Sequence, residues 1–247
     1  MIPTLSFCIT CKNRFHQISR TLKKNLDDNR LHQEWIEFVL IDFGSVDGLR
    51  EWVIRNFRSD LETGFLRYFY TEQLPYWHAS VAKNIAHRLA GHDILINLDC
   101  DNYTGYLGGQ FVIRQFLKNR DIVLHQFSGV LSDGSFGRIG MLRKYFEITG
   151  GYNESFEPMS YQDVDLIERL KRLGLEYQLK PNARFCKAIA NTKNEGILYT
   201  NSSIDYNAMQ NNNAGISKEN INAGHIVVRN RYCIDKDLQD YKSNKMV

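Results

Sequence analysis

No charge of one sign dominates this sequence. Lysine and arginine number 31 against 28 aspartates and glutamates, a formal net charge of +3 over 247 residues, so composition gives no argument for a nucleic-acid partner. A disulfide framework is missing as well. The five cysteines are odd in number and scattered, except for Cys8 and Cys11. That pair lies in the apolar run LSFCITC rather than opening a helix as redox pairs do, so free structural thiols in a reducing compartment are expected. The opening MIPTLSF lacks the basic segment and apolar stretch of a secretion signal, and no later segment approaches the roughly 20 apolar residues that span a bilayer. Internal repeats and flexible linkers are absent too. The composition, 43% hydrophobic and 24% charged, fits a single domain over residues 1–247, large enough to bury a real core. Asn-x-Ser/Thr sequences occur at Asn102, Asn153 and Asn201. Two of them fall inside motifs that a glycan would obstruct, which again favours a cytoplasmic location.

What is present is alternation. Leu5 to Thr10, Phe38 to Ile41, Phe65 to Tyr70 and Ile94 to Leu98 are apolar runs of strand length. Between them, Phe15/Ile18/Leu22/Leu26, Leu49/Trp52/Val53/Phe57 and Val81/Ile85/Leu89 recur at helical spacing. Unbroken strands alternating with amphipathic helices predict an α/β fold with a mostly parallel, doubly wound sheet covered on both faces. Past residue 105 the pattern loosens. A helix is expected near Phe111 to Leu117, strands at Ile122 to His125 and Phe136 to Met141, and a helix from about Asp163 to Leu173 that stops at Gly174. Residues 191–224 are rich in asparagine and poor in large apolar residues, and they read as a mobile loop. The chain divides into a first half (1–104), a second segment (105–190) and a loop-rich C-terminal segment (191–247).

In such sheets ligands bind beyond the carboxyl ends of the strands, and acids stand at two of those ends. Asp42 closes the second run; Asp99 and Asp101 close the fourth, in ILINLDCDN. Two carboxylates two residues apart suit a hard divalent cation such as Mg²⁺ or Mn²⁺, with phosphate oxygens and water completing its shell. A pair of turn aspartates is the competing account of Asp99 and Asp101, as an Asx-turn before Gly44 is for Asp42.

Five segments in order settle more than any one alone. NRFHQISRTLKKNL, VLIDFGSVDG, SVAKNIAHRLAGHDILINLDCDN, GGYNE and YQDVDL, spread over roughly residues 4 to 175, resemble the family 2 glycosyltransferases of GT-A fold. The resemblance implies that residues 1–104 bind a nucleotide-sugar and that the segment after them faces the acceptor. It places Asp42 at the nucleoside, Lys83 and Asn84 near the nucleotide, and Asp99 and Asp101 on the ribose and, through Mn²⁺ or Mg²⁺, on the diphosphate of a UDP-sugar. It implies that Gly151, Asn153 and Glu154, within GGYNE, meet the donor sugar or the acceptor, and that Asp163 is the general base. The family commonly carries Glu-Asp where this chain has Gln162-Asp163, which removes one charge and keeps the base. His225 is a candidate further metal ligand, by likeness to metal-dependent GT-A enzymes. Trp77 and His78 are candidates to stack on or hydrogen-bond a sugar.

Each assignment has a plainer competitor. Lys83 is open to being a solvated helix lysine, GGYNE to being a turn, and His225, Trp77 and His78 to being packing residues. Asp163 is open to being an N3 acid in a capping box headed by Ser160. The resemblance implies an inverting, metal-dependent transfer of a hexose or N-acetylhexosamine to a glycan acceptor, including one lipid-linked on a bacterial cytoplasmic membrane, and the slight basic excess would weakly favour peripheral attachment there. Two other classes compete. A nucleotidyltransferase would carry a glycine-rich phosphate loop where CKNRFHQ has no glycine, and a non-catalytic sugar-nucleotide or glycan-binding module would need Asp163 to be only a cap.

Overall fold

The structure is a computed structural model, and it describes residues 2–190, 193–230 and 239–240. One eight-stranded sheet runs through it in the order β7-β5-β6-β4-β1-β2-β3-β8. Its strands are β1 (Leu5–Cys11), β2 (Ile36–Asp42), β3 (Leu66–Tyr70), β4 (Ile94–Asn97), β5 (Ile122–His125), β6 (Ile139–Leu142), β7 (Glu176–Leu179) and β8 (Gln239–Asp240). β4, β1, β2 and β3 are parallel neighbours. β6 runs antiparallel between β4 and β5, and β8 is antiparallel on the β3 edge.

The helices are α1 (Phe15–Asn29), α2 (Leu49–Asn56), α3 (Arg58–Thr63), α4 (Ala79–Leu89), α5 (Gly108–Lys118), α6 (Arg143–Thr149), α7 (Gln162–Arg172), α8 (Lys193–Ile197) and α9 (Tyr206–Asn222). They bury two cores, one on each face of the sheet. Ile18, Leu22 and Leu26 of α1, Leu49 and Val53 of α2, and Val112, Ile113 and Phe116 of α5 pack on one face. Val81, Ile85 and Ala86 of α4, Phe146 of α6, and Leu166, Ile167 and Leu170 of α7 pack on the other. This two-sided covering is why β1 and β2 are buried along their whole length and read as continuous apolar runs. Cys8 belongs to one core and Cys11 to the other. The alternation of a strand therefore points the two thiols to opposite faces, and they cannot share a metal. Cys8, Cys11, Cys100 and Cys186 are free thiols; Cys233 lies outside the described residues. Among the described residues no helix is long and apolar enough to cross a membrane.

One expectation is overturned. The stretch 191–224 was expected to be a mobile loop, yet Tyr206 to Asn222 form a 17-residue helix whose Asp205 side chain caps Ala208 N. α9 buries Met209, Asn213 and Ser217, residues four apart and therefore on one helical face.

A buried imidazole ties stability to pH. His87 on α4 is fully buried, donates from Nδ1 to Lys83 O at 2.7 Å and stacks on Phe146. Burial pushes its pKa down to about 3. The folded pKa thus lies below the unfolded value of roughly 6.5, so stability is complete above that value and is lost as pH falls toward the folded one. Between pH 6.5 and 5 this group should cost about 1.4 kcal/mol per pH unit. Denaturant titrations of the wild type and of His87→Phe at those two pH values should show the slope shrinking by that amount in the variant.

Candidate active site

The parallel strands deliver their carboxyl ends to one edge of the sheet, and a cavity of ≈ 560 Å³ opens there. Thr10 borders it near the end of β1, Lys12 and Arg14 after β1, Asp99, Cys100 and Asp101 after β4, Gly137 before β6, and Asp163 on α7. Lys83 rises from α4 in the middle. Its ammonium donates to Asp163 Oδ1 at 2.7 Å, stands 3.9 Å from Asp99 Oδ1, and lies 5.3 Å from the centroid of the buried Tyr152 ring. Burial pushes the Lys83 pKa down, but Asp163 and Asp99 outweigh burial and hold it above the usual value, so the residue is charged.

The acidic pair is held differently at its two members. Asp99 Oδ1 accepts from Asn97 Nδ2 at 2.9 Å, and the same amide donates to Gly137 O at 3.0 Å. Asp101 is 7% exposed and accepts from Asn102 Nδ2 at 2.6 Å. Burial, and then the neighbouring Asp99 charge, raise its pKa to about 7. A buried carboxylate beside a second one is a donor set that a divalent cation would relieve.

That donor set is small. Among the described residues no group of three or more histidine, cysteine, aspartate or glutamate side chains could hold a metal ion. His225, proposed from the sequence as a further ligand, lines a second and larger cavity of ≈ 1480 Å³ rather than the cleft of Asp99 and Asp101. The residues present therefore fit an ion of the Mg²⁺ or Mn²⁺ kind held by two carboxylates and completed by phosphate oxygens and water, rather than by an all-protein cage.

Other sequence candidates divide between the two cavities or line neither. Asn153, Glu154 and His78 line the larger cavity, and Trp77 lines both. His78 is also the N-cap of α4, with Nδ1 accepting from Val81 N, while Nε2 donates to Phe156 O at 3.0 Å. Asn84 faces the protein. Its amide spans Tyr152 N, Tyr152 O and Glu154 Oε1 at 2.7–2.8 Å. The paired glycines of GGYNE serve the same packing: a Cβ on Gly151 would fall 2.4 Å from Asn84 Oδ1, and one on Gly150 would fall 2.1 Å from Val228 O. The close approach they allow is to the chain itself, and not to the smaller cavity.

Asp42 is fully buried. Oδ1 accepts from Ser45 N at 2.8 Å and Oδ2 from Tyr68 OH at 2.7 Å, and the residue lines neither cavity. The bond from Ser45 N is that of the Asx-turn before Gly44. Burial raises its pKa, and the bonds from Ser45 and Tyr68 oppose that rise. At Asp163 the helix-cap arrangement is missing. The N-cap of α7 is Tyr161, with no side-chain cap bond, and the carboxylate of Asp163 borders the cleft against Lys83. The capping box headed by Ser160 is not formed.

Several cleft residues went unread in the sequence. Arg14 pairs with Glu195 of α8 and brings that short helix to the cleft. Lys12 donates to Phe43 O at 2.6 Å and Leu74 O at 3.2 Å. Both follow β1, and the rule that ligands gather past strand ends was the signal for them. Tyr206 and Gln210 reach the cleft from α9, hidden in the segment expected to be a loop. Gly137 had no sequence signal.

Strand order, two helical layers and a cleft past the ends of parallel strands make this a GT-A-like α/β fold. Solved structures carry the likeness. A mannosyltransferase of Pyrobaculum calidifontis in complex with GDP-Man and Mn²⁺ superposes with TM-score 0.63 at 15% identity, over 78% of this chain and 59% of that one. Staphylococcus aureus TarS 1–349 gives TM-score 0.59 at 14% identity, over 72% and 58%. GalNAc-T7 with UDP, GalNAc and Mn²⁺ gives 0.61 at 16%, over 78% and 44%. The chain thus spans about half the length of these structures. No protein-family model matches the sequence, and no curated protein matches it.

Proposed function

We propose that this chain is an inverting, metal-dependent glycosyltransferase of the family 2 kind, which moves a hexosyl or N-acetylhexosaminyl group from a UDP-sugar to a hydroxyl of a glycan acceptor. The observation that carries the reading is the convergence of Asp99, Asp101, Lys83 and Asp163 on one cleft past the ends of β1 and β4. It is supported by the fold shared with structures that hold GDP-Man or UDP together with Mn²⁺.

Asp99 and Asp101 would hold the cation, which supplies positive charge against the departing diphosphate. Lys83 occupies Oδ1 of Asp163, while among the described residues Oδ2 has a single, 3.4 Å bond from Gln162 Nε2. Oδ2 is therefore the oxygen placed to take the proton of the acceptor hydroxyl. That hydroxyl oxygen bonds to the anomeric carbon from the face opposite the nucleotide, the bond to the diphosphate breaks, and UDP leaves. One displacement inverts the centre. A binding module without catalysis would need Asp163 only as a helix cap, and its pairing with Lys83 in the cleft argues against that. The first strand is followed by Lys12, Asn13 and Arg14 with no glycine, which argues against a nucleotidyltransferase.

Two carboxylates without a third protein ligand predict that metal and nucleotide bind together. Calorimetry should show Mn²⁺ alone binding weakly and UDP tightening markedly when Mn²⁺ is present. Asp101→Ala should erase that difference, and a variant with metal-dependent UDP binding intact would sink the assignment. Slow Mn²⁺-dependent hydrolysis of one UDP-sugar among glucose, galactose and their N-acetylhexosamine counterparts would identify the donor. No hydrolysis of any would count against the transferase.

A further inference from the structure

Ser160 and Tyr161, the two residues before the first helical turn that carries Asp163, both have positive φ, 76° and 63°. Neither is glycine, so each holds a conformation that side-chain-bearing residues avoid. Such strain persists only where the surroundings over-determine it, and it gathers at functional sites. Here the surroundings come from a helix some fifty residues further along the chain.

Asn213 on α9 is fully buried and spends its whole amide on this turn. Its Oδ1 accepts from Glu157 N at 2.7 Å, and its Nδ2 points at Ser160 O (2.8 Å), Met159 O (3.0 Å) and Glu157 O (3.3 Å). One helical turn on, Ser217 Oγ donates to Asp165 Oδ1 at 2.8 Å, and Asp165 is paired with the buried Arg169. α9 therefore grips the chain on both sides of Asp163. The opposite wall is α4, where Ala79 N donates to Pro158 O at 2.8 Å.

We propose that Asn213 is a positioning residue for catalysis: its amide holds the strained Ser160–Tyr161 turn in the conformation that aims the Asp163 carboxylate into the cleft. The inference rests on the reading of Asp163 as the base. An amide offers two donor hydrogens and an acceptor oxygen at one tip, and the turn presents both a backbone N–H and backbone carbonyls to it. Asp99 and Asp101 follow β4 and accept from Asn97 and Asn102 instead, so the metal half of the site does not depend on Asn213.

The test is Mn²⁺-dependent hydrolysis by the full chain, with UDP-glucose, UDP-galactose and their N-acetylhexosamine counterparts as probes. Asn213→Ala should lower kcat tenfold or more, with KM and Mn²⁺-dependent UDP binding within about twofold of wild type. Adding Ser160→Gly should restore a large part of kcat, because glycine takes positive φ without the penalty. Unchanged kcat in Asn213→Ala overturns the proposal. So does a loss of kcat and UDP binding together, or a lowered kcat that Ser160→Gly leaves untouched. Should the single variant fail to fold, the double variant is expected to fold and turn over; a double variant that also fails overturns it. If Asp163→Asn retains full hydrolysis, the reading of the base has failed. If Asp163→Asn is inactive while Asn213→Ala is unimpaired, only the role of Asn213 has failed.

Discussion

Replacing Asp163 by asparagine is expected to cut sugar transfer by roughly 10²–10⁴-fold, the range that a positioned general base contributes, while Mn²⁺-dependent UDP binding stays in place. The split follows from how the cleft is partitioned. Asp163 sits on the first turn of α7, whereas Asp99 and Asp101 follow β4 and take their orientation from Asn97 and Asn102. Asparagine keeps the shape and an oxygen for Lys83 but accepts no proton. Lys83 then retains a carboxylate in Asp99, 3.9 Å away, so its charge is not left buried without any counterion. Turnover and calorimetry on the same preparation check this. Transfer surviving in the variant would remove Asp163 from the chemistry, and loss of UDP binding would make it part of the donor site instead.

The second large effect is expected from a residue with no side chain. A Cβ on Gly137 would stand 2.7 Å from Asp99 Oδ2, 3.2 Å from Lys83 Nζ and 3.4 Å from Asp163 Oδ2. The first distance is closer than a carbon and an oxygen can pack, and the backbone has little room to retreat. Gly137 O accepts from Asn97 Nδ2 and from Ile139 N, both at 3.0 Å. Gly137→Ala should therefore push Asp99 aside, weakening Mn²⁺-dependent UDP binding and lowering turnover by on the order of 10²-fold, the cost of about an ångström of misplacement. Thermal unfolding should barely move, since the added methyl meets the cleft and not either core. Wild-type turnover in this variant would mean that Asp99 tolerates displacement and is not a tight contact to the donor.

The N-terminal half of the fold was legible because its signals are apolar. Phe38 to Ile41 and Ile94 to Ile96 are buried on both sides, and the stripes Ile18/Leu22/Leu26 and Val81/Ile85 face the two cores, so periodicity alone locates them. α9 escaped because its inward face is Met209, Asn213 and Ser217: the helical spacing is there, but two of its three members are polar and do their work through hydrogen bonds. The reversed direction of β6 escaped because a short buried run carries no sign of its direction. The edge strand β7 is mostly exposed and offered no apolar pattern.

The cleft was legible in part, for a related reason. Lys83, Asp99, Asp101 and Asp163, which the ordered motifs singled out, line one cavity. Asp42 and Asn84 carry the same residue types but spend their polar atoms inside the protein. A sequence shows that a carboxylate or amide stands at a strand end or on a helix, and not which way it turns. His225 illustrates the distance problem. It comes late in the chain, and the segment that brings it back lines the neighbouring cavity.

The grip of α9 on the turn before Asp163 also sets an order of events during synthesis. Chains grow at roughly 5–20 residues per second. The turn at Ser160 must wait several seconds for Asn213 and Ser217 to arrive from the ribosome. For that interval a nascent chain carries the Asp163 segment before the residues that hold its turn exist.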